Sequence, residues 1–126
     1  MAEPDPSPKQ FRELMLNDEP DLDDVLTCVF NLQRHEARTY ETLLDYPGST
    51  VEELAKELDR DRSNVNRSLS TLRENGLAER KRRLLDGGGH VYQYDPTPLS
   101  EARELMHDTL DAWAEYVHER IDEFGE

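Results

Sequence analysis

The chain has 126 residues, the size of one ordinary domain, and 29 Asp and Glu against 15 Lys and Arg give it a net charge of -14. Only 35% of it is hydrophobic, and no stretch approaches the roughly 20 apolar residues of a membrane span. A single cysteine, Cys28, excludes a disulfide scaffold, and the opening MAEPDPSPKQ lacks the apolar core of a secretory signal, so a soluble cytoplasmic protein is expected.

Pro4, Pro6 and Pro8 predict a disordered tail over residues 1–8, with one or two helical turns around Phe11, Leu14 and Met15. Residues 1–20 are read together as a flexible arm. Pro20 suits the first position of a helix, behind acidic Asp18 and Glu19. Leu22, Val25, Leu26 and Val29 follow at helical spacing. A second helix runs from about His35 to Asp45 with Ala37, Tyr40, Leu43 and Leu44 on one side, and Pro47-Gly48 stops it. Either Ser49 with Glu52 or Thr50 with Glu53 then makes a capping box for a third helix, which turns Val51, Leu54, Ala55 and Leu58 inward.

A short turn around Asp59 to Asp61 leads into a fourth helix ending near Asn75, with Gly76 as its left-handed cap. At about 100° per residue, Val65, Leu69 and Leu72 share one face, and Ser63, Arg67 and Ser70 share the opposite one. Asn64 and Asn66 flank that outer face. Two helices joined by a tight turn, the second with a Ser/Asn/Arg face, form a helix-turn-helix. Such side chains suit base reading, because Arg bonds guanine bidentately and Asn does the same to adenine.

Charge marks the same place. Residues 60–83 hold eight basic side chains (Arg60, Arg62, Arg67, Arg73, Arg80, Lys81, Arg82 and Arg83) and three acids, net +5, which leaves -19 for the rest of the chain. A basic island in an acidic chain is the electrostatic footprint of a nucleic-acid surface. Past Gly76, residues 77–85 and 90–94 read as two short strands around the turn AspGlyGlyGly at 86–89. A hairpin directly after a recognition helix is a wing. It carries Arg80, Lys81, Arg82, Arg83 and His90 toward the DNA backbone or minor groove. The glycine run opens no helix and has no Gly-Lys-Ser/Thr sequence, which weighs against a nucleotide-binding loop.

Pro96 and Pro98 end the hairpin. Leu99 to Phe124 reads as one helix of about 26 residues, roughly 39 Å long. Leu99, Ala102, Met106, Leu110, Trp113, Val117, Ile121 and Phe124 recur at steps of three and four, close to a coiled-coil seam. The first helix is too short to cover this stripe, so pairing with a second copy is expected, with these eight residues as the dimer interface. Cys28 lies among Val25, Leu26 and Val29 with acids nearby and no cation, which favours packing over a thiol switch. His107 with Asp111, and His118 with Asp122, have ligand spacing, but such pairs arise readily by chance in so acidic a chain. No metal, cofactor or catalytic constellation is expected, and the chain is not read as an enzyme.

The run from Leu32 to about Arg80 resembles the winged-helix domain of archaeal TrmB-type transcription regulators. The matching positions are Leu32, Glu36-Ala37-Arg38, Tyr40, Leu43-Leu44, Gly48, Thr50, Leu54-Ala55, Arg62-Ser63, Val65, Leu69, Leu72 and Gly76-Leu77. MarR- and PadR-type regulators share this general pattern. Larger TrmB proteins carry a sugar-binding domain after the winged helix. Here a helix follows, which is more PadR-like, so the resemblance does not extend to sugar sensing. As a whole the chain is similar to small haloarchaeal winged-helix regulators that respond to reactive oxygen species, and that resemblance implies a role in oxidative stress.

The fold expected is mainly α with a small β-hairpin wing: a winged helix-turn-helix at 21–96 after the arm at 1–20, and a dimerisation helix at 97–126. The function expected is sequence-specific DNA binding by a homodimeric transcription regulator. A winged-helix interaction module that does not bind DNA is the alternative. The contact residues are Arg60, Arg62, Ser63, Asn64, Asn66, Arg67, Ser70, Arg73, Arg80, Lys81, Arg82, Arg83 and His90. Twelve of the 15 basic residues are Arg, and that lysine-poor, acid-rich balance suits a very salty cytoplasm. A halophilic source, a nucleoid-associated location and salt cations held near the DNA interface are therefore expected.

Overall fold

The computed structural model describes residues 8–16 and 19–125. The tail predicted over 1–8 falls almost wholly outside them. In chain order the elements are α1 (Pro8–Leu16), α2 (Leu22–Phe30), α3 (Arg34–Asp45), α4 (Val51–Leu58), α5 (Arg62–Glu74), β1 (Ala78–Leu84), β2 (His90–Pro96) and α6 (Leu99–Asp122). Among the described residues no helix is long and apolar enough to cross a membrane.

Polar side chains at their ends set the helices. Pro20 is not the first helical residue. Asp21 caps α2 instead, its carboxylate accepting from Asp24 N–H at 3.0 Å while Asp24 accepts from Asp21 N–H. An aspartate cap satisfies the orphan amides that a proline one step earlier cannot reach. Of the two boxes open to α4, Thr50 with Glu53 forms, at 3.1 and 2.9 Å. Asp59 ends α4 in the left-handed conformation, with Arg60 N–H reaching back to Ala55 O at 3.0 Å. Gly76 takes the same role after α5, at φ +76°, and Leu77 N–H donates to Leu72 O at 2.8 Å.

Contacts divide the chain into two compact units, each described by itself. One is Gln33–Ala102; the other joins the segment up to Leu32 with the segment from Arg103 onward. The sequence-based boundary at 21–96 had grouped α2 with the helix-turn-helix. In the first unit α3, α4 and α5 bury Ala37, Tyr40, Leu43, Leu54, Val65, Leu69 and Leu72. β1 and β2 pair antiparallel, with Arg80 opposite Tyr94, Lys81 opposite Gln93, Arg82 opposite Tyr92 and Arg83 opposite Val91. A feature the hydropathy pattern does not show fixes this hairpin. Ser49 bridges Tyr94, with Gly48 N–H donating to Tyr94 O and Tyr94 N–H to Ser49 O, both at 2.8 Å. Gly48 has φ +82°, so glycine suits the bend into that bridge.

Thr97 fastens the base of the hairpin at the same end. Its N–H donates to Leu77 O at 2.9 Å and its hydroxyl to Gly76 O at 2.6 Å. Its own carbonyl accepts from the Tyr40 hydroxyl at 2.7 Å. Burial pushes the Tyr40 phenol up to about 12, so it stays a proton donor at every physiological pH. The other unit buries Leu26, Cys28, Val29, Phe30, Leu32 and Met106.

Candidate nucleic-acid interface

Helical period divides α5 cleanly. Val65, Ser68, Leu69 and Leu72 are buried, and Ser63, Asn66, Arg67, Ser70 and Arg73 are exposed on the other side. Asn64 is half-buried, and its side-chain oxygen accepts a hydrogen bond from Arg67. Arg60 is half-buried at the α4–α5 turn. Arg62 opens α5 and faces Glu52 of α4 at 3.6 Å; both side chains are largely exposed, so the pair is weak and leaves the guanidinium accessible.

The wing places its cations less simply than a run of four suggests. Successive strand residues point to opposite faces. Arg80 and Arg82 therefore share a face with Tyr92 and Tyr94, while Lys81 and Arg83 share the other with Gln93 and Val91. Arg80 lies over the Tyr92 ring at 4.1 Å, a cation–π contact that holds the side chain in place. Lys81 pairs with Asp95 at 3.0 Å. Arg82 and Arg83 are exposed near the tip. His90 meets the edge of Tyr92, with ring centres 5.2 Å apart.

A cleft of about 650 Å³ separates α5 from the wing, and Arg62, Ser63, Asn66, Arg80, His90 and Tyr92 line it. Five of the thirteen predicted contact residues thus converge from α5 and both strands of the wing. Arg60, Arg62 and Asn64 border a second depression at the α4–α5 turn. Arg67, Ser70, Arg73, Lys81, Arg82 and Arg83 line neither.

One member of this region was not singled out from sequence. His35 of α3 is half-buried. Its Nδ1 lies 3.1 Å from Ser68 Oγ, and its Nε2 lies 2.7 Å from Gln33 Oε1. Burial and then the positive charge of Arg60 hold the imidazole below the usual histidine range, with Arg67 acting in the same sense and Glu36 opposing. Ser68 carries the legible signal: at three residues from Val65 and four from Leu72 it sits on the apolar face, where a hydroxyl needs a partner.

The apolar stripe of α6 is covered only in part. Ala102 and Met106 are buried within the single chain, so the chain itself covers these two predicted interface residues. Trp113 and Val117 are half-buried, and Leu99 and Leu110 are exposed. Ile121 is 55% exposed and Phe124 79%, the latter beyond the helix end at Asp122. Cys28 is 2% exposed, and burial pushes its thiol up, away from the thiolate that a redox sensor needs.

Three helices followed by an antiparallel hairpin, with a polar and cationic face on the third helix, define a winged helix-turn-helix of the kind found in transcription regulators. The family described as sugar-specific transcriptional regulator TrmB matches residues 26–100, and the chain belongs to it. An uncharacterised protein of Methanocaldococcus jannaschii is 30% identical over 105 residues, spanning 83% of this chain and 87% of that protein. A solved structure described as a possible transcriptional regulator from Methanosarcina mazei is 28% identical, with a TM-score of 0.73 over 86% of this chain and 92% of that one. The archaeal chromatin protein TrmBL2, whose structure shows a novel mode of DNA binding, shares the fold at 23% identity, with a TM-score of 0.62 over 80% of this chain and 35% of its own.

Proposed function

We propose that this chain is a sequence-specific DNA-binding transcription regulator that acts as a homodimer. The observation that carries this reading is the outer face of α5, where Ser63, Asn66, Arg67 and Ser70 stand exposed opposite a buried apolar face and beside a wing bearing Arg80 and His90. In this reading α5 enters the major groove, and Arg67 and Asn66 offer the bidentate donors and acceptors that distinguish guanine and adenine. Arg60, Arg62, Ser63, Asn64, Ser70 and Arg73 grip the backbone or bases beside it. Arg80, Arg82, Arg83 and His90 lie along the adjoining phosphates, while Lys81 contributes less because Asp95 already partners it.

The exposed part of the α6 stripe holds two copies together, so that two recognition helices meet successive major grooves about 10 bp apart on a pseudo-palindromic operator. The acid-rich, lysine-poor composition supports a halophilic archaeal source, and the wider resemblance supports a part in an oxidative-stress response in the cytoplasm. With Cys28 buried, the oxidant signal in this reading reaches the chain by another route than that thiol.

Salt is the physical difficulty. Six to ten phosphate contacts cost roughly 10³–10⁵ in affinity between 50 and 200 mM salt for an ordinary DNA-binding protein. Here the -19 remainder takes up cations near the DNA and offsets those the DNA releases, so the dependence of affinity on salt is shallow or inverted. The test is fluorescence anisotropy of labelled promoter DNA, the chain's own upstream region included, in about 2 M KCl. Saturable, sequence-selective binding that Arg67→Ala weakens is the expected result. No binding by a folded dimer would move the reading to a winged-helix interaction module.

A further inference from the structure

His35 is held at both ring nitrogens. Gln33 Oε1 accepts, so Nε2 carries the proton, and in the neutral ring Nδ1 accepts from the Ser68 hydroxyl. Ser68 is wholly buried on the inner face of α5, and Arg67 projects from the outer face one residue earlier. The imidazole therefore ties the first helix of the motif to the back of the helix that carries the contact residues. We propose that His35 is the positioning residue of α5 and that DNA binding is accompanied by uptake of a proton on its ring.

This proposal rests on the DNA-binding reading above. The charged groups bearing on the ring are Arg60 from the α4–α5 turn, Arg67 from α5, and Glu36 from its own helix. In the free chain burial and the two guanidinium groups disfavour a third cation and favour the neutral ring. Phosphates engaged by Arg60 and Arg67 offset that positive charge, and the polyanion itself favours an imidazolium. The proton comes from solvent and adds at Nδ1. The bond to Ser68 then reverses: Nδ1–H donates to Ser68 Oγ, and the hydroxyl proton turns to a carbonyl one turn back in α5, as helical serines do. The link between α3 and α5 survives in both protonation states, so α5 stays anchored as the charge of the site changes.

The DNA-bound form holds more protons than the free form. Affinity is therefore greatest at low pH and falls as pH rises through the titration of the bound state, by up to about tenfold per pH unit for one proton per site. The experiment is an anisotropy titration of labelled upstream DNA with the full chain, at fixed ionic strength, from about pH 5.5 to 8.5, where histidines titrate. Wild type, His35→Gln and His107→Gln, the last at an exposed position of α6, are compared. The expected result is a pH slope in wild type that His35→Gln reduces and His107→Gln retains. Affinity independent of pH in wild type, or a slope preserved in His35→Gln, overturns the proposal. NMR titration of the His35 ring in wild type, with and without the DNA, decides it even if His35→Gln fails to fold: the midpoint rises on DNA addition if the proposal holds, and an unmoved midpoint refutes it. Absence of saturable binding at every pH would instead overturn the DNA-binding reading, and this proposal with it.

Discussion

The unit Gln33–Ala102 and the outer part of α6 use apolar residues in opposite ways. In the first, Tyr40, Leu43, Leu54, Leu69, Leu72 and Leu77 are all fully buried, and the base of the hairpin is fastened by Ser49 and Thr97. In the second, Met106 is buried but Leu110 is exposed, and Ile121 and Phe124 are mostly exposed. One region completes its core from its own chain and turns polar groups outward. The other carries a periodic apolar face that its own chain covers only in part. A closed core holds contact residues in fixed positions, whereas an open seam is what association with a second copy requires. In the proposed reading, the chain thus separates the reading of DNA from the pairing of readers.

Four substitutions would break or sharpen this contrast. Leu69→Ala opens a cavity in the closed core and should cost about 2–5 kcal/mol of unfolding free energy. Ile121→Ala, at an exposed position, should stay within about 0.5 kcal/mol when the dissociated chain is compared in urea. Equal losses at the two positions would erase the distinction. Val117→Glu sets a charge in the seam and should weaken self-association by about 2 kcal/mol or more, read by sedimentation equilibrium. Unchanged association would place the dimer contact elsewhere. Thr50→Ala removes one half of the α4 capping box and should cost about 1 kcal/mol in thermal or urea unfolding, with the oligomeric state unaltered.

Much of the reading helix-turn-helix unit was written in the sequence because its signals are local. The 3.6-residue period separated Val65, Leu69 and Leu72 from Ser63, Arg67 and Ser70, and Thr50, Pro47-Gly48 and Gly76 punctuated the helices. Losses came where a single residue meets a distant one. The Ser49–Tyr94 bridge is one residue long and leaves no periodic trace. The His35–Ser68 bond spans 33 positions, and only the misplaced polarity of Ser68 hinted at it. Reading Arg80 to Arg83 as one block ignored the period of two, which deals successive cations to opposite faces of the wing. For α6 the spacing was legible, but how far the chain covers its own stripe depends on tertiary packing, and that buried Ala102 and Met106.

The division of labour is tested most directly by sedimentation velocity on the protein with a labelled pseudo-palindromic duplex, the amount of bound protein measured per duplex. The account predicts two copies on each duplex and a Val117→Glu variant that loses affinity through loss of pairing while keeping its fold. A single copy bound at full affinity, or full occupancy by a chain that does not self-associate, would contradict it.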